Sequence, residues 1–197
     1  MPIDPSHGWN AVAQRFIQAR SRIGADTVRL WAKQLPPGGD ILDVGCGYGE
    51  PISAALVEDG FRVFGVDASP VLVAEFRRRL PCAQVACEPA EASGLFQRKF
   101  DGAVAIGLLF LMPAEDQRRV IERVAGALEP GGRFLFSAPR QACKWADTLT
   151  GRPSRSLGEA EYQRVLDQAG LRLSGHFVDE GDNHYFDAVA PSLNDQA

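Results

Sequence analysis

The middle of the chain alternates short apolar runs with amphipathic helical patterns, and this alternation restricts the fold more than any other feature of the sequence. Asp40-Ile41-Leu42-Asp43-Val44 is too short for a helix and runs into a glycine-rich turn. Pro51 then suits a first helical position, Ile52, Ala55 and Leu56 share one face, and Gly60 stops the helix. The pattern repeats. Phe61 to Val66 reads as a second strand, Ser69-Pro70 as an N-cap and first helical residue, and Gln84 to Cys87 as a third strand. Phe100 to Ile106 is a fourth strand. Pro113 opens a helix with Val120, Ile121, Val124 and Leu128 on one face, Pro130-Gly131-Gly132 breaks it, and Arg133 to Ser137 is a fifth strand. Strands separated by helices pair in parallel, so the expected class is α/β, a Rossmann-like, mostly parallel sheet with helices on both faces.

Beyond the fifth strand, Ala138 to Ser156 shows no clear period. Ser156-Leu157-Gly158-Glu159 matches a capping box, predicting a helix that carries Tyr162, Val165 and Leu166 inward as far as Gly170. Leu171 to Val178 and His184 to Ala190 are two further strands with only five residues between them. A parallel crossover needs a dozen, so these two form an antiparallel hairpin. Trp9 to Ala19 and Ala25 to Leu35 read as amphipathic helices joined near Gly24. With 197 residues, 45% of them hydrophobic, one core suffices. The expectation is a single domain over 1–197: an N-terminal helical lid (1–37), a ligand-binding core (38–138) and a substrate-side loop, helix and hairpin (139–197).

Charge and cysteine content narrow the function. The chain carries 21 Lys and Arg against 25 Asp and Glu, net −4, and its longest basic run is Arg77-Arg78-Arg79, which argues against a nucleic-acid partner. No window approaches the roughly 20 apolar residues of a membrane span, and Met1 to Asn10 lacks the basic and apolar segments of a leader, so no membrane partner and a cytoplasmic location are expected. Cys46, Cys82, Cys87 and Cys143 form no C-x-x-C pair, which predicts free thiols and no metal site.

The chemistry concentrates at Gly45-Cys46-Gly47-Tyr48-Gly49, between the first strand and its helix, where glycine lets the backbone approach a ligand and the helix start offers free N–H groups. The nicotinamide fingerprint G-x-G-x-x-G needs a small residue at position 50. Glu50 stands there instead, and its charge would repel a pyrophosphate. Asp43 and Asp67 end the first two strands and thus lie at the carboxyl edge of a doubly wound sheet, where ligands bind. Asp67 can accept two hydrogen bonds from a ribose diol, each worth about 1.5–3 kcal/mol.

Together these residues resemble the class I S-adenosylmethionine-dependent methyltransferases of the small-molecule type. Ile41-Leu42-Asp43-Val44-Gly45-Cys46-Gly47-Tyr48-Gly49 is similar to motif I, and Val66-Asp67-Ala68-Ser69 to the ribose-binding acidic motif. Phe100 to Ile106 resembles the fourth strand, and Leu128-Glu129-Pro130-Gly131-Gly132-Arg133-Phe134 the turn before the fifth. The resemblance implies a sheet order of 3-2-1-4-5-7-6 with strand seven antiparallel, and S-adenosyl-L-methionine as cofactor. It implies that Asp43 and the backbone of Gly45, Cys46, Gly47 and Gly49 hold the methionine part. Asp67 would take the ribose hydroxyls and Ala68 would pack on the adenine. Glu88 stands where the family often has an aspartate for the adenine amino group; Pro89 follows it without an N–H, so Ala90 or Glu91 is the alternative. Ile106 and Gly107 would offer backbone near the methionine end.

Methyl transfer to a small-molecule nucleophile is an in-line displacement that chiefly demands alignment. Substrate contacts are expected from the N-terminal helices, the loop after strand five and the hairpin tip. Trp9, Arg15 and Arg20 are lid candidates, Leu108 to Met112 a pocket wall, and Arg152 and Arg155 holders of an acidic group. His184 and Tyr185 are the catalytic candidates. The imidazole should titrate near 6.5 unless Asp179, Glu180 and Asp182 raise it. Two other readings stay open: a non-catalytic S-adenosylmethionine-binding module, and a dinucleotide-dependent oxidoreductase.

Overall fold

A computed structural model describes residues 4–192; the ends of the expected domain, 1–3 and 193–197, lie outside the described residues. Two helices, α1 (Trp9–Ala19) and α2 (Ala25–Ala32), precede the sheet. Then follow β1 (Asp40–Val44), α3 (Ile52–Glu58), β2 (Arg62–Asp67), α4 (Pro70–Arg79), β3 (Gln84–Cys87) and β4 (Phe100–Ala105). The remainder comprises α5 (Ala114–Ala127), β5 (Leu128–Ser137), β6 (Cys143–Ala146), β7 (Pro153–Ser156), α6 (Glu159–Gln168), β8 (Arg172–Val178) and β9 (His184–Val189).

Seven strands form one sheet in the order β3-β2-β1-β4-β5-β9-β8. β1 pairs in parallel with both β2 and β4, placing Asp43 between Gly65 and Val104, and β9 runs antiparallel to β5 and β8. With β8 and β9 as the sixth and seventh strands, this is the expected order. Alternation along the strands splits the core in two. Leu42, Val44, Phe134, Phe136 and Phe186 pack against Val120, Val124 and Tyr162 of α5 and α6. Ile41, Val63, Val104 and Leu135 face Val28, Trp31 and Leu56 of α2 and α3 on the other side. Trp31 is fully buried, and its indole N–H donates to Asp187 Oδ1 at 2.9 Å. Arg133 pairs with the same carboxylate, so this buried charge is both hydrogen-bonded and compensated.

Local expectations hold where punctuation is strong. Ser69 caps α4, its Oγ accepting from Leu72 N, and Pro70 is the first helical residue. Elsewhere tertiary pairing overrides them. Pro51 is the N-cap of α3 rather than its first helical residue, and α5 stops at Ala127, so that Leu128 to Gly132 join β5 instead of merely breaking a helix. The segment without a period contains a hairpin, β6 paired antiparallel with β7. That hairpin removes the expected capping box. Ser156 is held in β7 opposite Cys143, its Oγ donates to the Pro139 carbonyl, and Gly158 becomes the N-cap of α6. Glu159 is thereby free to turn toward Arg140.

Among the described residues no helix is long and apolar enough to cross a membrane. All four cysteines are free, and only Cys46 is buried.

Candidate active site

Because β1 and β2 run in parallel, their carboxyl ends lie side by side, and the glycine turn folds across that junction. Gly45 N and Cys46 N both donate to the Val66 carbonyl, at 2.8 and 3.1 Å. Asp67 completes the tie: its Oδ2 accepts from Gly47 N at 2.9 Å and its Oδ1 from Ser69 N at 2.8 Å. Each carboxylate oxygen has a second acceptor direction left for a ligand. Two glycines in the turn have different duties. Gly49 has φ +92°, and a Cβ there would fall 2.7 Å from Leu80 Cδ1, so close packing against α4 excludes a side chain. Gly47, at φ +56°, faces the Phe16 ring of α1, 3.3 Å from where its Cβ would stand.

Asp43 is buried at the end of β1 and accepts a hydrogen bond from Ser53 Oγ at 2.6 Å. Burial, opposed by that bond and reinforced by the nearby Asp67 charge, pushes its carboxyl up to about 7. Burial also raises Asp67, against the pull of its two amide donors. Among the described residues neither aspartate forms an ion pair. Burial likewise lifts the Cys46 thiol well above its ordinary range, leaving it an inert, protonated group.

A cavity of about 270 Å³ opens over this junction. Ala68, Leu72, Pro89 and Ala90 form one wall, Ile106, Gly107 and Leu108 another, and Trp9, Phe16 and Arg20 close it from α1. Five carboxylates reach it, from Asp43, Glu50, Asp67, Glu91 and Asp147, against the cationic or titratable groups of Arg20 and His7. The covering helix is docked: Asn10 Oδ1 accepts from Ser69 Oγ at 2.8 Å and from Val71 N at 3.2 Å, and Phe16 meets Tyr48 edge-on. Of the residues picked out in the sequence, Asp43, Gly45, Cys46, Gly47, Asp67, Ala68, Ala90 and Ile106 line this cavity. Gly49 and Glu88 do not. Glu88 accepts from Ser93 Oγ at 2.7 Å, just behind the wall that Pro89 and Ala90 form.

A second cavity, about 560 Å³, adjoins the first and shares Arg20, Ile106, Gly107 and Phe110 with it. Trp145 of β6 stands 5.4 Å from Phe110, ring to ring, and His184 and Tyr185 border the far side. Adjacent residues of a strand point to opposite faces, so these two differ in surroundings. The Tyr185 hydroxyl donates to Asp179 Oδ2 at 2.7 Å, and burial with that carboxylate pushes its acidity far out of reach. Tyr185 is a post that steadies the hairpin tip. His184 instead turns to His176, Nε2 to Nδ1, at 3.0 Å. Its pKa is lowered from the expected 6.5 by burial, by His176 and by Arg140, and the acidic tip does not raise it. Two of the tip's acids are engaged elsewhere: Asp179 serves Tyr185, Asn183 and Gly181, and Glu180 accepts from Gly24 N.

Arg152 lies against Gly8, and neither it nor Arg155 or Arg15 lines either cavity. Sequence reasoning missed Trp145 and Asp147. Both sit on the β6–β7 hairpin, whose strands of four residues are too short to show a period.

Residues 41–132 match the family model described as "Methyltransferase domain". The carboxy-S-adenosyl-L-methionine synthase of Chromohalobacter salexigens is 34% identical over 107 residues, 51% of this chain and 40% of that protein. The O-methyltransferase resE of Aspergillus sclerotiorum is 30% identical over 161 residues, 74% of this chain and 59% of that one. The chain thus spans about half the length of the curated relatives it matches. Among solved structures, magnesium protoporphyrin IX methyltransferase from Synechocystis PCC 6803 with bound SAM superposes with a TM-score of 0.74 at 19% identity, covering 96% of this chain and 98% of that one. That likeness concerns the fold.

Proposed function

The chain belongs, over residues 41–132, to the methyltransferase-domain family, and from this premise we propose that it binds S-adenosyl-L-methionine over β1 and β2 and methylates a small molecule in the adjoining cavity. One observation carries the reading: Asp43 is buried and Asp67 half-buried beside a glycine turn, and among the described residues neither makes an ion pair, Arg20 acting on Asp43 only at longer range. Such a site complements a ligand that brings positive charge and hydroxyl donors. S-adenosyl-L-methionine has both and, when bound, supplies an activated methyl group. A pyrophosphate would meet the carboxylates of Glu50, Glu91 and Asp147 as well, which disfavours a dinucleotide.

In this reading Asp67 accepts from the ribose diol with the lone pairs that Gly47 and Ser69 leave unused. Asp43 and the backbone at Gly45, Cys46 and Gly47 hold the methionine end, while Gly49 keeps the turn packed on α4. Ala68 and Leu72 flank the adenine, with Ala90 or Glu91 at its amino group, and Glu88 stiffens that wall through Ser93. Arg20 makes no ion pair among the described residues and is placed to meet a carboxylate. The helices of 1–37 act as a lid on one domain spanning 1–197, and the protein works in the cytoplasm.

His184 is assigned as the base that takes a proton from the nucleophile, and Tyr185 as the residue that positions the hairpin tip. A second cavity equipped with a neutral imidazole favours turnover over passive cofactor binding. Calorimetry tests the cofactor: S-adenosylhomocysteine should bind and NAD should not, and the opposite result overturns the proposal. Release of S-adenosylhomocysteine from S-adenosylmethionine across a panel of phenols, amines and thiols then tests the reaction.

A further inference from the structure

We infer that Glu159 and His176 fix the tautomer of His184, leaving His184 Nδ1 as the one ring atom able to accept a proton. The use of that atom rests on the methyl-transfer reading; the tautomer itself does not.

The register of the terminal hairpin creates the pair. Val178 stands opposite His184 and His176 opposite Phe186, so the two imidazoles are diagonal neighbours on one face, with centroids 4.8 Å apart. Both meet the buried Phe186 ring near its edge, at 5.4 and 4.7 Å, which limits their rotation. Glu159 closes the line: its Oε1 lies 3.3 Å from His176 Nε2.

Proton positions follow from donor and acceptor capacity. Arg140 bonds to Glu159, the first residue of α6, where the helix dipole also favours negative charge, so this carboxylate is ionised. An ionised carboxylate only accepts, so His176 carries its proton on Nε2. Neutral His176 then has a bare Nδ1, and the 3.0 Å contact requires His184 Nε2 to be the donor. The free lone pair of His184 is therefore on Nδ1. Charged groups acting on His184 come from three elements: His176 on β8, Arg140 after β5 and Glu159 on α6. When Nδ1 takes a proton, Nε2–H can pass its own to His176 Nδ1, and the charge comes to rest beside Glu159. His176 and Glu159 are positioning residues, remote from the first cavity.

The chain has three histidines, His7, His176 and His184, so the imidazole nitrogens can be read directly. Long-range proton–nitrogen correlation spectra of the ¹⁵N-labelled full chain at about pH 8, assigned with His176→Gln and His184→Gln, should show Nε2–H and bare Nδ1 for both His176 and His184. Glu159→Ala should convert both to averaged tautomers, and Glu159→Gln, which keeps an acceptor, should restore the fixed form. A His184 ring carrying Nδ1–H, or averaged in the wild-type chain, overturns the inference, as does indifference to Glu159→Ala. Should that variant fail to fold, the wild-type spectrum alone decides. Titrating S-adenosylhomocysteine into the same sample separates the two claims. No binding with the expected tautomer rejects the methyl-transfer reading only, and binding with the wrong tautomer rejects this inference only.

Discussion

The Gly47 amide donates to Asp67 Oδ2 at 2.9 Å, so the turn after β1 and the tip of β2 are one unit. The carboxylate that would hold a ribose diol also fixes the loop that would cradle the rest of the ligand. Asp67→Ala removes both functions. It should weaken S-adenosylhomocysteine by about 2–4 kcal/mol, roughly 30- to 1,000-fold, as measured by calorimetry. Unchanged affinity would reject the ribose assignment.

Gly47 and Gly49 should separate binding from folding. Gly49→Ala forces a left-handed backbone on alanine and drives its Cβ into Leu80, so about 1–3 kcal/mol of stability should be lost in denaturant titration. Gly47→Val, at φ +56°, also forces a left-handed backbone on its side chain and loses some stability, but its Cβ meets only the Phe16 ring on the covering helix. It should keep a native circular dichroism spectrum and lose ligand binding. A Gly47→Val chain that unfolds, or binds normally, contradicts the division.

Asp43 makes stability depend on pH. Its folded pKa of about 7 lies above the unfolded value, so folding favours the protonated form. That contribution is complete below about pH 4 and is lost as pH rises through about 7. Asp67 acts with the same sign. Glu75 and Glu161, held at about 2 by hydrogen bonds from arginines, act oppositely, but their share is complete above their ordinary value of 4.5. His184, lowered on folding, opposes this up to its ordinary value of 6.5, but the two aspartates outweigh it, so the melting temperature of the ligand-free chain should fall between about pH 5 and 7, and Asp43→Asn should flatten the fall in calorimetric scans. An identical slope in both proteins would show that Asp43 ionises at its usual pH.

Asp187 anchors α2 to the sheet through Trp31 and neutralises Arg133. Asp187→Ala strands an indole N–H in the core and an inward guanidinium, and should cost about 3–5 kcal/mol in chemical denaturation. A loss below about 1 kcal/mol would mean that water replaces the carboxylate.

The sequence by itself determined β1 through β4 and the Arg133–Ser137 body of β5, because their apolar runs are short, most of their boundaries carry Pro and Gly, and parallel pairing follows from intervening helices. It also determined that Asp43 and Asp67 share an edge, since both end parallel strands next to one glycine turn. Local signals failed where the outcome depended on a distant partner. Ser156 had the sequence of an N-cap, but pairing with Cys143 drew it into β7 and left Glu159 free to meet Arg140 and His176. The meeting of His176 with His184 was decided in the same way. From the tip inward the β8–β9 register pairs Val178 with His184 and His176 with Phe186, and because side chains alternate faces, that register sets His176 on the face of His184. Hydrophobic periodicity does not give the register across a five-residue hairpin tip, so only the folded sheet could bring the two imidazoles together.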